Sequence, residues 1–369
     1  MKTINFTLFW QIWTENLSGV KIHGMKTKLV LLSALILTTV MPVPTNAGFE
    51  LDKRQVWPVL ASNEVKALIL EYHLIETPPA NARYPDLYVT EETFKKHLAM
   101  LRETGLKCIS FEDAISQLEA GNFDASNVII TFDDGYLDNF AVAQKLSNLG
   151  HGGTFYIPTF YPGKSQPAQN LTYMSWDDIK KISEMGFEIG AHTVHHTNLR
   201  NLKLEVVNYE ISESLNDIYG HIGKKPTTFS IPMGTYTNQV IVEIEKYGLK
   251  GCVISNYGYL TKFNTNNAPR IKIKEETGMR SVIELYLSRN LKYFGEIEPG
   301  TKGPRIRSFR SMLTRLGHPL VDSDVYDEDM VKAIKEFQKI FELEENGKLN
   351  TTTMDKIVRD FITLTVKGI

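Results

Sequence analysis

Short apolar runs alternate with amphipathic helical stretches over most of the chain, and this alternation limits the possible folds more than any other feature. Six runs have the apolar, β-rich character of strands: Ala67–Tyr72, Asn127–Phe132, Gly153–Ile157, Phe187–Ala191, Thr227–Ile231 and Gly251–Ser255. Helical patterns lie between them: Glu91–Glu103, Asp138–Leu149, Trp176–Met185, Leu204–Tyr219 and Asn238–Tyr247. Continuous apolar strands that are separated by helices predict a parallel sheet with both faces covered. We therefore expect an α/β fold, a (β/α) barrel that is distorted or incomplete, with a doubly wound open sheet as the alternative.

The remaining segments differ in composition from this pattern. We expect the barrel domain to cover residues 48–287, with Tyr257–Arg270 as a long loop that is rich in Asn and Thr. Glycine and proline recur in residues 288–304, which predicts a linker. Apolar residues then recur at helical spacing, so residues 305–369 are predicted to form a small three-helix domain.

Residues 1–47 have the pattern of a secretory signal peptide. Met25–Lys28 is basic, Leu29–Val43 is apolar, and Pro44–Ala47 brings small residues just before Gly48. The apolar run is too short for a comfortable membrane span, and an uncleaved N-terminal anchor is the alternative. We expect translation to begin at Met25 and the protein to be exported to the periplasm, the cell wall or the extracellular space.

Charge balance and cysteine content exclude several classes of function. The chain has 369 residues, with 41 Lys and Arg against 43 Asp and Glu, so its formal net charge is -2 and nucleic-acid binding is not expected. Cys108 and Cys252 lie far apart in apolar runs, which excludes a disulfide scaffold and a paired thiolate metal site. No feature of the sequence indicates an obligate protein partner.

Polar residues come directly after four of the predicted strands. Because the carboxyl ends of parallel strands share one rim of a β/α fold, we expect these residues to converge there, where the active sites of such folds are built. They are His73 after the first run, Asp133-Asp134-Gly135 after the second, His192-Thr193-Val194-His195-His196 after the fourth, and Pro232-Met233-Gly234 after the fifth.

The histidines and aspartates of this rim are the residue types of a metal site. His192 and His196 are four residues apart, so a helical turn would place both imidazoles on one face. Two imidazoles and one carboxylate, from Asp133 or Asp134, form a catalytic zinc-type site with a position left open for water. The other aspartate is then free to act as a base, and Gly135 allows the tight turn that directs both inward. We therefore expect one divalent metal ion, with Zn²⁺ as the first candidate.

Two motifs of the rim resemble those of a known family. Thr131-Phe132-Asp133-Asp134-Gly135-Tyr136 and His192-Thr193-Val194-His195-His196 are similar to the first two motifs of the polysaccharide deacetylase family (the NodB homology domain, carbohydrate esterase family 4). The resemblance covers about residues 66–285. It implies a metal-dependent hydrolase that removes N-acetyl groups from amino sugars of a cell-envelope polysaccharide. It also implies residue roles: Asp133 as general base, Asp134, His192 and His196 as metal ligands, Thr193 as a residue that orients the site, and His195 as a weaker ligand candidate.

The chain departs from the family pattern around the base. Many members have an arginine where this chain has Ser230, and many have a late Asp-Trp and a late Leu-x-His that provides the general acid. Here no tryptophan follows Trp176, and only His221 and His318 follow the histidine motif. His221 precedes a strand and is expected at the opposite rim, and His318 belongs to the small domain, so neither is a candidate acid.

His73 and Arg270 are the candidates for these missing functions. Tyr72-His73 and Pro269-Arg270 are similar to residue pairs in the branch of poly-N-acetylglucosamine deacetylases. The resemblance implies that His73 acts as general acid and that Arg270 holds Asp133 in its ionised form. The alternatives are a hydrogen-bonded rim histidine and a surface ion pair.

Candidate substrate contacts lie near the third family motif. Phe229-Ser230-Ile231-Pro232-Met233-Gly234 resembles that motif, which implies that it shapes one wall of the substrate groove. We expect Tyr136, Pro232, Gly234 and Tyr236 to contact the substrate. Tyr136, Tyr156, Trp176 and Tyr236 either stack on sugar rings or belong to the core.

The small domain has a resemblance of its own. Asp327–Gln338 and Gly347–Thr353 are similar to the small helical peptidoglycan-binding domain, which implies attachment to the cell wall and peptidoglycan as the first candidate substrate. A helical cap on the barrel is the alternative for this domain. For the whole chain, the alternatives are a deacetylase of poly-β-1,6-N-acetylglucosamine exopolysaccharide and a catalytically weak or inactive wall-binding protein.

Overall fold

The computed structural model of the protein describes residues 66–124, 126–291 and 296–367. The predicted signal peptide, residues 1–47, lies outside the described residues, as do residues 292–295 of the predicted linker. Within the described ranges, no helix is both long and apolar enough to cross a membrane.

Most strands follow the predicted runs closely, and two of the eleven form a separate hairpin. The strands are β1 (Ile69–Tyr72), β2 (Lys107–Ile109), β3 (Asn127–Phe132), β4 (Thr154–Ile157), β5 (Ser165–Gln166), β6 (Leu171–Thr172), β7 (Glu188–Ala191), β8 (Thr228–Ser230), β9 (Gly251–Ile254), β10 (Ala268–Pro269) and β11 (Ile271–Lys272). The hairpin is formed by β5 and β6. The other strands form one sheet in which every pairing is parallel.

One short run of chain joins the two ends of this sheet. The strand order is β10-β9-β8-β7-β4-β3-β1-β11, with β2 beside β3. β10 and β11 are separated only by Arg270, and they pair with β9 on one side and with β1 on the other. The sheet is therefore a nearly closed barrel. The prediction of a distorted or incomplete (β/α) barrel is confirmed, and the open doubly wound alternative is wrong.

Ten helices cover the sheet and build the C-terminal region of the part of the chain that the structure describes. They are α1 (Glu91–Glu103), α2 (Phe111–Glu119), α3 (Asp138–Asn148), α4 (Trp176–Glu184), α5 (Leu204–Ile222), α6 (Asn238–Glu245), α7 (Met279–Leu291), α8 (Pro304–Arg315), α9 (Glu328–Ile340) and α10 (Thr351–Lys367). The sequence pattern missed β2, β5, β6 and β11, because strands of two or three residues are too short to show a period, and it also missed the helices α2 and α7. It also took Tyr257–Arg270 as an uninterrupted loop, although β10 lies within it.

The two faces of the strands enter two different cores. Leu70 and Tyr72 pack with the helices in the large outer cluster, whereas Ile69 belongs to a second cluster inside the barrel, together with Ile129 and Val253. Successive side chains of a strand point to opposite faces. Glu71, two residues after Ile69, therefore shares the inner face, above the apolar floor of the barrel.

The C-terminal region contains the three helices that the sequence predicts: α8, α9 and α10. It packs below the barrel, on the side where the strands begin. Ser308 donates a hydrogen bond to the Gly105 carbonyl at 3.2 Å, and Arg315 lies 3.2 Å from Glu103. Both barrel residues precede β2, so the C-terminal region lies at the end opposite to the carboxyl ends of the strands.

Candidate active site

The chain turns sharply where β3 ends. Asp133 follows the strand directly, and Asp134 and Gly135 have φ values of 73° and 68°. A Cβ on Gly135 would lie 3.0 Å from the Ile157 side chain, so this position combines a left-handed backbone with close packing. The turn brings both carboxylates into the buried rim of the barrel.

Asp134 and the two motif histidines converge as the sequence predicts. Asp134 Oδ1 lies 3.4 Å from His192 Nε2 and 3.1 Å from His196 Nε2. One possible ligand atom from each residue lies within 4.8 Å of the others. Among the described residues, this buried Asp134 oxygen has no hydrogen-bond partner. An unpartnered buried carboxylate oxygen between two imidazoles is what a cation site requires.

The histidine motif does not form the expected helical turn. His192 to His196 lie in a loop in which Thr193 and His196 have positive φ values of 66° and 53°. The left-handed residues, rather than an i, i+4 face, direct both imidazoles towards Asp134. His192 Nδ1 lies 2.7 Å from the Ser230 carbonyl oxygen. A carbonyl can only accept, so Nδ1 carries the proton and Nε2 keeps its lone pair for a cation.

Glu210 holds this loop in place, and the sequence analysis missed it. Its buried carboxylate accepts hydrogen bonds from the backbone N–H groups of Val194 and His195, both at 2.9 Å. It also contacts His195 Nδ1 at 2.8 Å. His195 therefore points to Glu210 and away from the cluster, which agrees with its ranking as the weaker ligand candidate. The sequence offers only a weak signal for Glu210, an acidic residue on the buried side of α5.

Asp133 is paired with Arg270, which is buried and only 1% exposed. Arg270 donates to Asp133 Oδ1 at 2.7 Å and to Oδ2 at 2.6 Å, a bidentate pair. Ser230 donates to Asp133 Oδ2 at 3.1 Å, so the residue that stands where many relatives have arginine still touches the candidate base. Arg270 is thus not the surface ion pair considered as an alternative.

The charges of this site shift several pKa values. Burial alone raises the pKa of Asp133, but the charge and hydrogen bonds of Arg270 outweigh burial and lower it to about 2. The pKa of Asp134 is also low, because the two histidines outweigh its burial. Burial lowers the pKa of His196. In His192 the same burial is outweighed by the two neighbouring aspartates, which raise its pKa.

His73 lies on the same rim, next to a carboxylate that the sequence analysis did not single out. His73 Nε2 is 3.8 Å from Glu71 Oε1, and one possible ligand atom each from Glu71, His73 and Asp133 lie within 4.8 Å of one another. The ring is buried, and in the part of the chain that the structure describes its Nδ1 has no hydrogen-bond partner. This does not match the alternative of a rim histidine that is satisfied by hydrogen bonds.

The predicted substrate contacts occupy different environments. Tyr136 is buried, stacks on Tyr173 at 5.3 Å and donates to Asp134 Oδ2 at 2.9 Å, so its side chain faces the cluster and not an open groove. Tyr156 is wholly buried and belongs to the core. Pro232 is also buried, whereas Gly234 and Tyr236 are partly exposed at the rim.

Comparisons with known proteins agree with this geometry. Residues 120–252 match the family model for "Polysaccharide deacetylase", and residues 302–357 match the model for "Putative peptidoglycan binding domain". A similar protein from Bacillus subtilis (strain 168), named "Putative polysaccharide deacetylase YxkH", is 26% identical over 209 residues, which are 56% of this chain and 70% of that protein.

Two further proteins are similar to this chain, one in sequence and one in structure. PdaA of Bacillus subtilis (strain 168), named a peptidoglycan-N-acetylmuramic acid deacetylase, is 26% identical over 131 residues, 35% of this chain and 46% of PdaA. The structure of the Streptococcus pyogenes deacetylase PplD in complex with acetate has a TM-score of 0.54 and 21% identity. It covers 60% of this chain and 98% of PplD, and shows that the fold is shared.

The match to the deacetylase model and the deacetylases among the similar proteins indicate a hydrolase of the deacetylase class. Residues 120–252 match the polysaccharide deacetylase family, and residues 302–357, further along the chain, match peptidoglycan-binding domains. The resemblance of the two motifs to this family is therefore confirmed.

Proposed function

We propose that this protein is an exported, metal-dependent hydrolase that removes N-acetyl groups from amino sugars of peptidoglycan. The observation that carries the proposal is the convergence of Asp134, His192 and His196 beside a second aspartate held by an arginine. The three residues come from two distant segments of the chain, and their ligand atoms face one another.

The residues fit a divalent metal ion. The unpartnered Asp134 oxygen and the two Nε2 atoms form a donor set of one oxygen and two nitrogens, which suits Zn²⁺ and leaves further positions open. A divalent ion held by these residues would polarise an acetyl carbonyl and would lower the pKa of a water molecule bound to it. The hydrogen bond of Tyr136 to the other Asp134 oxygen orients the carboxylate for this purpose.

The neighbouring residues supply the proton transfers. Asp133 takes the proton of the attacking water, and its low pKa means that Arg270 keeps it ionised and ready to accept. His73 gives a proton to the leaving sugar amine. Its ring is close to Asp133 and lies past the end of β1, on the same rim. The Pro232–Gly234 turn and Tyr236 line the approach to this rim.

Peptidoglycan is the first candidate substrate because the chain carries a domain that matches peptidoglycan-binding modules. The printed name of PdaA points to the same polymer. A poly-β-1,6-N-acetylglucosamine exopolysaccharide is the second candidate. The observation that favours it is that His73 and Arg270 lie beside Asp133. These two residues are similar to residues found in the deacetylases of that polymer.

The test is acetate release by the purified protein from peptidoglycan, from a β-1,6-linked N-acetylglucosamine polymer and from chitin oligomers. We expect the highest rate with peptidoglycan, and no release by Asp133→Asn. A higher rate with the β-1,6-linked polymer would select the second candidate. A protein that releases no acetate from any polymer and binds no zinc would instead be a wall-binding protein without activity.

A further inference from the structure

We propose that Glu71 is a positioning residue of this active site, which fixes Arg270 against Asp133 and anchors His73. The inference rests on the proposed function and adds a residue to it. Glu71 lies in β1, where it is a charged residue in an otherwise apolar and aromatic strand. It is 1% exposed and lies on the inner face of the barrel.

Glu71 and Asp133 hold the guanidinium of Arg270 from two sides. Glu71 Oε2 forms an ion pair with Arg270 Nε at 3.2 Å, although this oxygen accepts no hydrogen bond among the described residues. The two terminal nitrogens of Arg270 donate to Asp133. Arg270 also donates to the Ile254 carbonyl, to Thr131 Oγ1 and to Ser230 Oγ. Glu71 adds a second buried negative charge to these hydrogen bonds, on the side of the guanidinium away from the Asp133 pair.

The other oxygen of Glu71 faces the candidate acid. Ser255 donates a hydrogen bond to Glu71 Oε1 at 3.1 Å, and His73 Nε2 lies 3.8 Å from the same oxygen. One oxygen of Glu71 therefore lies next to Arg270, the partner of the base, and the other lies near His73, the candidate acid.

A purely structural explanation accounts poorly for this residue. Two buried carboxylates share one guanidinium, and a buried ionic group is often no more stabilising than an apolar residue of similar size. Replacing Glu71 by glutamine keeps the volume and leaves Arg270 and Asp133 as a neutral pair. The fold should then be at least as stable as before, while Arg270 and His73 lose their shared anchor.

The experiment compares Glu71→Gln and Glu71→Asp with the wild-type protein, using the polymer on which the wild type is most active. For Glu71→Gln we expect kcat to fall about 10- to 100-fold with KM within about twofold, the magnitude typical for a residue that orients catalytic groups. Zinc content and melting temperature should not fall. Glu71→Asp, which keeps the charge, should recover part of kcat. The control is Glu188→Gln, which removes a partly buried strand carboxylate at the other end of the barrel and should retain wild-type kcat.

A double-mutant cycle separates positioning from general damage. If Glu71 acts through Arg270, the losses of kcat in Glu71→Gln and Arg270→Lys will not multiply in the combined variant. Wild-type kcat in Glu71→Gln would overturn the inference, as would multiplicative losses or a fall in kcat that follows a fall in melting temperature. These outcomes leave the proposed function intact, whereas a wild-type protein that releases no acetate would overturn the function itself.

Discussion

Both ends of the barrel shield carboxylates from solvent, Glu188 in part and the two aspartates almost fully, but the two ends partner them differently. At the end where the strands begin, Glu188 accepts hydrogen bonds from Thr154 Oγ1 at 2.7 Å, from the backbone N–H of Glu112 at 2.9 Å and from Thr228 Oγ1. Neutral donors satisfy this carboxylate, and burial raises its pKa. At the other end, Asp134 faces two imidazoles with an unpartnered oxygen, and a guanidinium lowers the pKa of Asp133.

The comparison shows that burial of a carboxylate does not by itself mark a functional site. What separates the two ends is the chemistry of the partners. Hydroxyl and amide donors satisfy the hydrogen-bonding capacity of the Glu188 carboxylate, so no ligand is needed there. At the other end, the imidazoles of His192 and His196 face an Asp134 oxygen that has no hydrogen-bond donor from any described residue. This arrangement suits a bound cation.

Of the variants considered, Asp134→Asn is expected to have the largest effect on zinc binding and on acetate release. The amide removes the anionic ligand, so we expect bound zinc to fall from one ion per chain to almost none and acetate release to drop about 1000-fold or more. Elemental analysis and an acetate assay of the same preparation test this. Glu188→Gln, the matched change at the other end, should keep both properties. Equal zinc content in the two variants would show that Asp134 contributes no more to zinc binding than Glu188 does.

The next largest effect is expected from Asp133→Asn. The amide cannot take a proton from water, so kcat should fall about 100- to 10 000-fold while zinc binding remains. Isothermal titration with zinc and steady-state kinetics measure the two properties separately. Full activity of this variant would show that the base is assigned to the wrong aspartate.

A smaller effect is expected at Glu210, which holds the ligand loop without touching the cluster. Glu210→Ala should weaken zinc affinity about 10- to 100-fold, because the loop residues Val194 and His195 lose three hydrogen-bond contacts. The control is Glu205→Gln, an exposed position on the same helix. Competition with a zinc chelator gives both affinities, and equal values would show that the loop holds its shape without Glu210.

The smallest effects concern stability against pH, where the two ends should have opposite signs. The raised pKa of Glu188 means that stability falls as pH rises from its ordinary pKa of 4.5 towards the raised value, since only the unfolded chain ionises there. Asp133 has the reverse behaviour: its contribution is present above the ordinary pKa of 3.8 and is lost as pH falls towards about 2. Urea unfolding of metal-free Glu188→Gln, Asp133→Asn and wild type between about pH 2 and 7 tests these signs. A Glu188→Gln curve parallel to that of the wild type would contradict the first.

The sequence predicted much of this arrangement because its strands are continuous apolar runs and its polar residues follow the strand ends. The strand ends bring His192, His196 and Asp134 to the same rim, and the local backbone of the loops then orients their side chains. The sequence could not show that the histidine loop uses left-handed residues, or that Glu210 of α5 holds the N–H groups of Val194 and His195, because neither feature leaves a periodic pattern. It also could not show that Arg270 would be buried, because the closing strand is interrupted and too short to show a period.

Glu71 is the instructive omission. A charged residue within the apolar run Ala67–Tyr72 was visible in the sequence, and such a residue is rarely buried without a partner. The apolar residues of the run identify the strand, but they do not indicate the role of the one charged residue within it.

The most direct test of a metal centre formed by Asp134, His192 and His196 is a zinc titration of chelator-treated protein with acetate release as the readout. We expect the metal-free wild type to be inactive and to regain full activity at one zinc ion per chain, while Asp134→Asn regains none. Acetate release by metal-free protein at the rate of the zinc-loaded protein would contradict the account.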